Sequence, residues 1–197
     1  NPRRTAKIFV MIKAIITDFD GTLVDTFEAN FRAYQEAFAS IGETLTPERY
    51  RECFGYRFEH FMLEIGINDV AKVNAIKKAK KEAYPKYFDS LRPNKVLISL
   101  IETFKVMGAK TAIASTARKE NLMNAATFLG VDKHFDLIFA GVDVKEGKPS
   151  PEIYLKAMET LGVKPEETLI FEDSQVGIDA AKGSGAQCMV VSEKQFL

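Results

Sequence analysis

Residues 17–26 read TDFDGTLVDT and directly follow the apolar run 14–16. A short apolar run that is bounded by a glycine predicts a buried β-strand. Residues i and i+2 of a strand point to the same side, so Asp18 and Asp20 approach one spot where the strand ends. Two carboxylates at that distance need a cation or a shared proton to offset their repulsion. The stretch therefore predicts a metal site, an acid/base pair, or both.

Further along the chain, short apolar runs alternate with amphipathic helical stretches, which is typical of a parallel α/β sheet. The predicted strands are 13–17, 111–115, 137–140, 168–171 and 187–191. The predicted helices between them are about 95–107, 119–129, 151–161 and 175–183. Glycines 108, 130, 162 and 185 fall near the helix ends, where a left-handed residue is often needed.

The interval between Val24 and about Leu91 shows no strand pattern, and it predicts a helical insertion after the first strand. We expect a sheet core of residues 11–24 and 92–197 and an α-helical cap of residues 25–91. Open α/β sheets bind ligands at the carboxyl ends of their strands, so this cap is well placed to cover a site. Two side-chain patterns inside it are read as structural. The aromatic stripe Phe27, Phe31, Tyr34 and Phe38 is assigned to core packing, and Lys77, Lys78, Lys80 and Lys81 to a solvated helix face.

The charge balance points away from polyanionic partners. Lys+Arg and Asp+Glu both number 27, so the net charge is zero, and we expect neither nucleic acid nor a membrane surface as partner. Two distant cysteines, Cys53 and Cys188, fit a reducing, cytoplasmic setting. No apolar run approaches the ~18 residues of a membrane span. Residues 1–10 lack the features of a signal peptide and are left out of the site argument.

Four predicted strand ends carry side chains that phosphoryl chemistry uses. They are Asp18 and Asp20, then Ser115 and Thr116, then Lys148, then Glu172 and Asp173. Phosphoryl transfer to a carboxylate needs an in-line oxygen nucleophile and a group that acts as acid and base. It also needs cations and hydrogen-bond donors around the phosphate oxygens.

The residue types suggest a role for each position. Asp18 is the candidate nucleophile, and Asp20, one pleat further on, is the candidate acid/base. Asp18 and Asp173 could hold a hard cation such as Mg²⁺, which takes oxygen ligands, with Glu172 as an alternative or additional ligand. The candidate phosphate-binding groups are the Ser115 hydroxyl, the Lys148 ammonium and the backbone N–H groups of the Gly21 turn and Thr116.

These segments resemble the four motifs of the haloacid dehalogenase superfamily of phosphotransferases. DFDGT is similar to the first motif, Ser115 to the second, Lys148 in GKPSPEIY to the third and EDSQVGIDAA to the fourth, in the same order. The insertion resembles the helical cap of the subfamily that contains phosphoglycolate phosphatases and β-phosphoglucomutases. The resemblance implies a Rossmann-like core, an aspartyl-phosphate intermediate and Mg²⁺ dependence. It also implies that the backbone carbonyl of Asp20 ligates the metal and that Glu172 supports the metal shell.

The leading interpretation is a Mg²⁺-dependent phosphatase for a small phosphorylated metabolite, acting as a monomer or weak homo-oligomer. The alternative is a sugar-phosphate mutase of the β-phosphoglucomutase type. Such mutases carry a histidine near the position of Asn30 and an arginine in a Gly-x-Ser-Arg-like segment. Here that segment reads GYRF, residues 55–58, and Arg57 is out of register. We interpret Arg57 as a contact for a second anionic group or a sugar hydroxyl.

Three further interpretations fit the residues less well. Dehalogenation needs neither a metal nor an acid at Asp20, and phosphonoacetaldehyde hydrolysis needs a cap lysine, whereas the cap lysines here come late. A noncatalytic binding protein on the same fold would not need the intact set of catalytic residue types.

Several polar residues near these motifs are assigned structural parts. Asp25 and Thr26 are expected to cap the first cap helix, although Thr26 could instead face the cleft. Asp143 is expected to order its loop and Asp179 to be peripheral. His60 and His134, for which the sequence shows no paired partner, are read as structural or surface residues.

Overall fold

The structure is a computed structural model that describes residues 11–192 and residue 196. Its strands are β1 (Ala14–Thr17), β2 (Val24–Asp25), β3 (Arg92–Pro93), β4 (Lys110–Ala114), β5 (Leu137–Phe139), β6 (Thr168–Glu172) and β7 (Gln187–Val190). Its α-helices are α1 (Phe27–Ala39), α2 (Pro47–Glu52), α3 (Phe58–Ile65), α4 (Val70–Ala83), α5 (Lys95–Val106), α6 (Lys119–Leu129), α7 (Glu152–Leu161) and α8 (Gln175–Gly183). Short 3₁₀ helices cover Tyr84–Ser90, Asp132–His134, Gly141–Asp143 and Pro165–Glu167.

Five parallel strands form the main sheet in the order β5-β4-β1-β6-β7. The α/β fold predicted from the sequence is confirmed, and the predicted strands and helices of the sheet core lie within one or two residues of those observed. Gly130 and Gly162 end α6 and α7 in the left-handed conformation, at φ of 66° and 67°.

The central strand is buried on both faces. Ile15 packs with the apolar side chains of α5 and α6, whereas Ile16 packs on the other face with those of α7 and α8. All four residues of β1 are buried, which explains why this strand reads as a continuous apolar run rather than an alternating one. β1 lies between β4 and β6, so the residues that follow these three strands meet at one edge of the sheet.

Helices α1 to α4 lie between β2 and β3 in the sequence and have an apolar cluster of their own. Aromatic rings dominate that cluster. Tyr50 packs against Phe27, Phe31, Tyr34 and Phe61 with ring centroids 5.3–5.9 Å apart. Core packing is therefore the main part played by the aromatic stripe of α1, as the sequence pattern predicts.

The helical segment begins and ends on a small β-ladder that the sequence pattern did not indicate. Val24 pairs with Pro93 and Asp25 pairs with Arg92 in antiparallel register. A two-residue strand is too short to produce a periodic signal, and it forms because the two connections of the helical segment lie side by side. None of the helices in the described part of the chain is long and apolar enough to cross a membrane.

Candidate active site

The candidate site lies where β1 and β6 end side by side. Thr17 pairs with Phe171, and the Asp18 N–H donates a 3.0 Å hydrogen bond to the Phe171 carbonyl. The residues that come next in sequence are Asp18 after Thr17 and Glu172 after Phe171, and Asp173 follows Glu172. The parallel register thus brings Asp18 next to two acidic residues that lie more than 150 positions further along the sequence.

Lys148 lies among these acids and is buried with them. Its Nζ atom donates to Asp18 Oδ1 at 2.6 Å, to Glu172 Oε1 at 2.5 Å and to the Ala114 carbonyl at 3.0 Å. Burial alone would lower the pKa of Lys148, but Asp18 and Glu172 outweigh it and hold this pKa well above its ordinary value. Lys148 is therefore a permanent cation at the centre of the site.

Glu172 is fully buried, and both of its carboxylate oxygens are hydrogen-bonded. Oε1 accepts from Lys148 and from the Tyr154 hydroxyl, while Oε2 accepts from the Asp173 N–H at 3.2 Å and the Ser174 hydroxyl at 3.4 Å. Gly177 of α8 lies against this carboxylate, and a Cβ atom at that position would be 2.0 Å from Glu172 Cδ. The glycine of the fourth segment is there because the carboxylate occupies the space of a side chain.

Asp18, Glu172 and Asp173 offer carboxylate oxygens that all lie within 4.8 Å of one another. Thr22 donates to Asp173 Oδ1 at 2.8 Å and so orients the third carboxylate. Gly21, at φ 88°, leaves room for it, since a Cβ there would be 2.2 Å from Asp173 Oδ2. Burial raises the pKa of Asp18 well above its ordinary value, against the opposing effect of Lys148. Burial and the neighbouring Glu172 raise the pKa of Asp173 to about 6.

The charges of this cluster fit a divalent cation. The cluster holds three acidic groups and one ammonium, and burial disfavours the ionised forms of Asp18 and Asp173 unless further positive charge is present. Oxygen donors of this kind are those that Mg²⁺ and similar hard ions prefer. Glu172 uses both oxygens for protein donors, so Asp18 and Asp173 are the better placed to ligate an ion directly.

The Asp20 side chain points away from that cluster. Its Oδ1 accepts from the Thr26 hydroxyl at 2.6 Å and from Asn30 Nδ2 at 3.1 Å, and its Oδ2 lies 3.5 Å from the Ser115 hydroxyl. Asn30 is also hydrogen-bonded to Tyr84. Asp20 is thus held by Thr26, which directly follows β2, by Asn30 of α1 and by Ser115 after β4.

Two roles were predicted for the Thr26 side chain, and the structure shows which contact it makes. Its side chain makes no capping bond at the start of α1, so the capping prediction was wrong for Thr26. Thr26 is fully buried, and its hydroxyl donates to Asp20, so it contributes to the site through that carboxyl group. Thr26 immediately precedes α1, and from there its short side chain can donate a hydrogen bond to the Asp20 carboxylate. Asp25 does accept from the Phe27 N–H at 3.1 Å, as expected of a residue at a helix start.

Ser115 and Thr116 follow β4 and border the same space. Ser115 is buried, and its hydroxyl accepts from the Ala117 N–H at 3.0 Å, which shapes the loop. The Thr116 hydroxyl donates to the Gly55 carbonyl at 3.3 Å and joins this loop to the helical segment. Thr116 and Lys148 both line the central cavity.

The central cavity measures about 80 Å³ and lies between the sheet edge and the helical segment. Its polar lining includes Asp18, Asp20, Asn30, Tyr34, Lys80, Tyr84, Arg118 and Asn121. Lys80 was predicted to lie on a solvated face, and that prediction was wrong. It is 6% exposed, with Nζ 3.9 Å from the Tyr84 ring centroid, because α4 turns this side of itself toward the cavity. Burial lowers the pKa of Lys80 to about 7.

Arg57 lies outside the central cavity, in a neighbouring groove of about 470 Å³. The groove carries the cations Arg57, Lys77, Arg118 and Lys119 against the acids Glu59 and Glu120. Arg57 Nη1 donates to the Lys145 carbonyl at 3.1 Å, and its Nε lies 3.3 Å from Glu59. Arg118 lines both the groove and the cavity and so lies at the border between them.

The remaining polar residues singled out from the sequence have structural contacts. Asp143 accepts from the Ala140 N–H at 2.8 Å and orders its loop as predicted, and Asp179 accepts from Gln175 on the surface of α8. His60 stacks on Tyr56 with centroids 4.3 Å apart and lies 3.4 Å from Glu64, and His134 lies 3.1 Å from Glu102. Both histidines therefore have partners, which the sequence did not show.

The sequence argument overlooked site residues whose contribution depends on distant segments. Thr22, Thr26, Tyr84, Arg118 and Tyr154 all border or support the carboxylates. One signal was available: Lys80 and Tyr84 are four residues apart, so on a helix they share a face with the aromatic cluster.

Comparisons with known proteins agree with this geometry. The family model of haloacid dehalogenase-like hydrolases matches residues 15–191. The phosphorylated carbohydrates phosphatase of Thermotoga maritima is 32% identical over 180 residues, which cover 89% of this chain and 83% of the relative. The crystal structure of CbbY from Rhodobacter sphaeroides in complex with xylulose-(1,5)bisphosphate is similar with a TM-score of 0.82 at 33% identity, over 92% of this chain and 87% of that one. β-Phosphoglucomutase from Clostridium difficile is similar with a TM-score of 0.81 at 25% identity, over 94% and 87% of the two chains.

The family model covers more than half of the chain, and it spans all four segments that surround the carboxylate cluster. The likeness extends over the helical segment as well as the sheet, since the similar chains are matched over most of their lengths. The chain therefore belongs to the haloacid dehalogenase-like hydrolases, as a phosphoric monoester hydrolase of that family.

Proposed function

We propose that this hydrolase is a Mg²⁺-dependent phosphatase that acts on a small phosphorylated metabolite through an aspartyl-phosphate intermediate. The observation that carries the proposal is the buried cluster of Asp18, Glu172 and Asp173 around Lys148, with Asp20 beside it. Burying three carboxylates and a lysine at one strand edge costs desolvation free energy that an apolar cluster of the same volume would not, so the stability of the fold does not explain the cluster. The residues 11–24 and 92–197 would form the catalytic core, and residues 25–91 its cap.

In the proposed reaction, an Asp18 carboxylate oxygen attacks the phosphorus atom and the substrate oxygen leaves. Asp20 gives a proton to that leaving oxygen and later takes one from the attacking water. Thr26 and Asn30 both donate to Asp20 Oδ1 and so fix the orientation of this carboxyl group, while its Oδ2 accepts only a long contact from Ser115. Hydrolysis of the aspartyl phosphate then restores Asp18 and releases inorganic phosphate.

Lys148 and Ser115 would bind the equatorial phosphate oxygens, together with the backbone N–H groups of the Gly21 turn and Thr116. Asp18 and Asp173, with the backbone carbonyl of Asp20, would hold Mg²⁺, and Glu172 would support that shell. When bound, the ion would supply positive charge to offset the charge of the phosphoryl group and of the carboxylates.

The substrate class follows from the cations that face the cavity and the groove. Lys80 and Arg118 line the central cavity together with Lys148. Arg57 lies in the neighbouring groove, which Arg118 also lines. We infer that the substrate carries a second anionic group, which Arg118 and Arg57 bind. The related CbbY has been crystallised with a bisphosphate, which fits a substrate of that type.

A compartment and an assembly state complete the proposal. Free cysteines at positions 53 and 188 fit a reducing cytoplasm, and we propose a monomer or weak homo-oligomer.

The test is phosphate release from a panel of phosphorylated metabolites with Mg²⁺, for the wild type and for Asp18→Asn. The panel includes bisphosphates and β-glucose 1-phosphate, with glucose 6-phosphate measured separately. We expect release that needs Mg²⁺ and falls by more than about 10³-fold in Asp18→Asn, because an amide oxygen is a poor nucleophile.

Asp25→Asn is the matched control, since it makes the same change in the same segment outside the carboxylate cluster, and it should keep most of the activity. Isomerisation of the sugar phosphate without release would replace the phosphatase by the mutase. Release that is equal in Asp18→Asn and the wild type would contradict the covalent mechanism.

A further inference from the structure

Tyr154 is a fully buried tyrosine of α7 whose hydroxyl has no part in the chemistry proposed above. It is among the largest side chains with no exposure. Its ring packs with the apolar cluster of α7 and α8, and a phenylalanine would fill that space equally well. The hydroxyl therefore needs a separate explanation, because a buried O–H group lowers stability unless it is hydrogen-bonded.

The Tyr154 hydroxyl donates to Glu172 Oε1 at 2.5 Å. Tyr154 is the donor of this bond, because burial holds the pKa of its hydroxyl well above the ordinary value and the hydroxyl therefore keeps its proton. The ring also lies beside Lys148, with Nζ 5.1 Å from the ring centroid. Tyr154 thus touches both the carboxylate and the cation that border Asp18.

Glu172 Oε1 is shared between two donors, and this sharing links Tyr154 to the reacting groups. Lys148 divides its hydrogen bonds between Glu172 Oε1 and Asp18 Oδ1, at 2.5 and 2.6 Å. Without the Tyr154 hydroxyl, Glu172 Oε1 would have Lys148 as its remaining donor. The Lys148–Glu172 hydrogen bond would then strengthen and draw the ammonium group away from Asp18. Glu172 would also lose one of the bonds that fix its rotamer, and its other oxygen orients the Asp173 N–H.

We propose that Tyr154 is a positioning residue that acts through Glu172: its hydroxyl fixes the Glu172 carboxylate so that Lys148 stays aligned on Asp18 and Asp173 stays aligned for the metal ion. The inference rests on the proposed function, since it assigns a purpose to the same site. It concerns the support of the site rather than contact with substrate. Substitution should therefore weaken metal binding and turnover and leave substrate affinity unchanged.

The test compares Tyr154→Phe, which removes only the oxygen, with Thr168→Val as matched control. Thr168 is fully buried on β6, the strand that carries Glu172, and its hydroxyl donates to the Lys164 carbonyl at 2.9 Å, at the end away from the site. Both variants lose one buried hydroxyl and its hydrogen bond. The dissociation constant for Mg²⁺ is measured by calorimetry and that for Mn²⁺ by electron paramagnetic resonance, both without substrate. Urea unfolding gives the stability of each variant.

For Tyr154→Phe we expect about tenfold weaker metal binding and about tenfold lower kcat, the size of effect seen when outer-shell partners of a metal site are removed. KM at saturating Mg²⁺ should stay within twofold of the wild type. Thr168→Val should lose comparable stability and keep its metal affinity. Metal affinity and kcat of Tyr154→Phe within twofold of the wild type would overturn the inference, and so would an equal loss in the control.

A double-mutant cycle with Glu172→Gln checks that Tyr154 acts through Glu172. If it does, the loss of metal affinity in the double variant should be no larger than that of Glu172→Gln alone, because the two residues then work as one unit. Additive losses would exclude this route. The metal titrations need no substrate, so a wild type that binds metal but releases no phosphate would refute the proposed function and leave this test in force.

Discussion

Lys80, whose charge changes near neutral pH, lines the central cavity. Lys80 is 6% exposed, its ammonium lies 3.9 Å from the Tyr84 ring centroid, and its pKa is about 7. Burial lowers this pKa, Asp20 raises it and Arg118 lowers it further. The positive charge that Lys80 offers to a substrate is therefore largely present at pH 6 and largely absent at pH 8.

The prediction for Lys80 concerns the pH dependence of substrate binding. KM for a substrate with a second anionic group should rise by about tenfold between pH 6 and pH 8, which corresponds to ~1.4 kcal/mol. Lys80→Arg keeps its charge over this range and should lose most of that rise, and Lys80→Met should show a high KM at both values. Steady-state kinetics of the three proteins would check this, and equal pH profiles in all of them would contradict it.

The buried Lys80 should also make the free energy of unfolding depend on pH. The pKa of Lys80 falls from 10.5 to about 7 on folding, so the unfolded chain binds more protons between those values. The free energy of unfolding of the wild type relative to Lys80→Met should therefore rise with pH from 7 to about 10. Below pH 7 the difference should be flat, because the lysine is then protonated in both states.

Individual residues differ in how far the sequence could predict them. Asp18, Asp20, Lys148 and Glu172-Asp173 were predictable because each follows an apolar strand, and a parallel sheet brings such positions to one edge. Lys80 and Thr26 were not, because their neighbours are set by how the helical segment packs on the sheet. For Lys80 the only local sign of burial is its four-residue spacing from Tyr84, and the neighbouring lysines of the same helix obscure it.

At the scale of the element, α8 is shaped by the carboxylate beneath it. Ser174 accepts from the Gly177 N–H at 3.2 Å and begins the helix, and Gly177 leaves the space that Glu172 fills. The second glycine of this helix, Gly183, is in a different position. A Cβ atom there would lie 3.5 Å from Pro151, which is an ordinary contact.

Gly177→Ala and Gly183→Ala form a matched pair in one helix. Gly177→Ala should destabilise the protein by about 2 kcal/mol, the typical cost of overpacking a core, and should reduce metal affinity because Glu172 must move. Gly183→Ala should be neutral or more stable by about 0.5 kcal/mol, since alanine reduces the freedom of the unfolded chain. Urea unfolding and metal titration of both variants check this. Similar behaviour of the two would contradict the part assigned to Gly177.

Element boundaries in the sheet core were largely predictable and those at the insertion were not. Gly130 and Gly162 mark helix ends by a local backbone requirement, which is why the predicted ends of α6 and α7 agree with the structure. The β2–β3 ladder has no such marker, because each of its residues is a strand residue only through a partner 67 or 69 positions away. Pairing of that kind is a property of the folded chain.

At the scale of the whole molecule, the size of the cavity limits how substrate enters. A cavity of about 80 Å³ is smaller than the 150 Å³ cavity that holds a benzene molecule in other proteins. A phosphorylated metabolite therefore needs the helical segment to move away from the sheet before it can bind. The contact between Thr116 and Gly55 and the ion pair between Lys81 and Glu120, at 2.9 Å, would have to open.

The groove beside the cavity predicts a dependence on substrate charge. Arg57→Ala should raise KM for bisphosphates by about tenfold and leave monophosphates unchanged, and the effect should shrink as salt screens the charges. Arg92→Ala is the control, since it removes the same charged group from a different cavity, which neither Arg57 nor Arg118 lines. Unchanged kcat/KM of Arg57→Ala for every good substrate would refute the proposed contact.

The β2–β3 ladder brings the two ends of the helical segment next to each other, at Asp25 and Arg92. A segment whose ends are neighbours can be lengthened, shortened or exchanged without altering the distance that the rest of the chain must span. Recombination between related genes could therefore replace residues 27–90 as a cassette and give the same catalytic residues a different specificity. The same geometry offers protein engineers a graft point at these two residue pairs, provided that the replacement keeps the contacts of the segment with the sheet, such as that of Asn30 with Asp20.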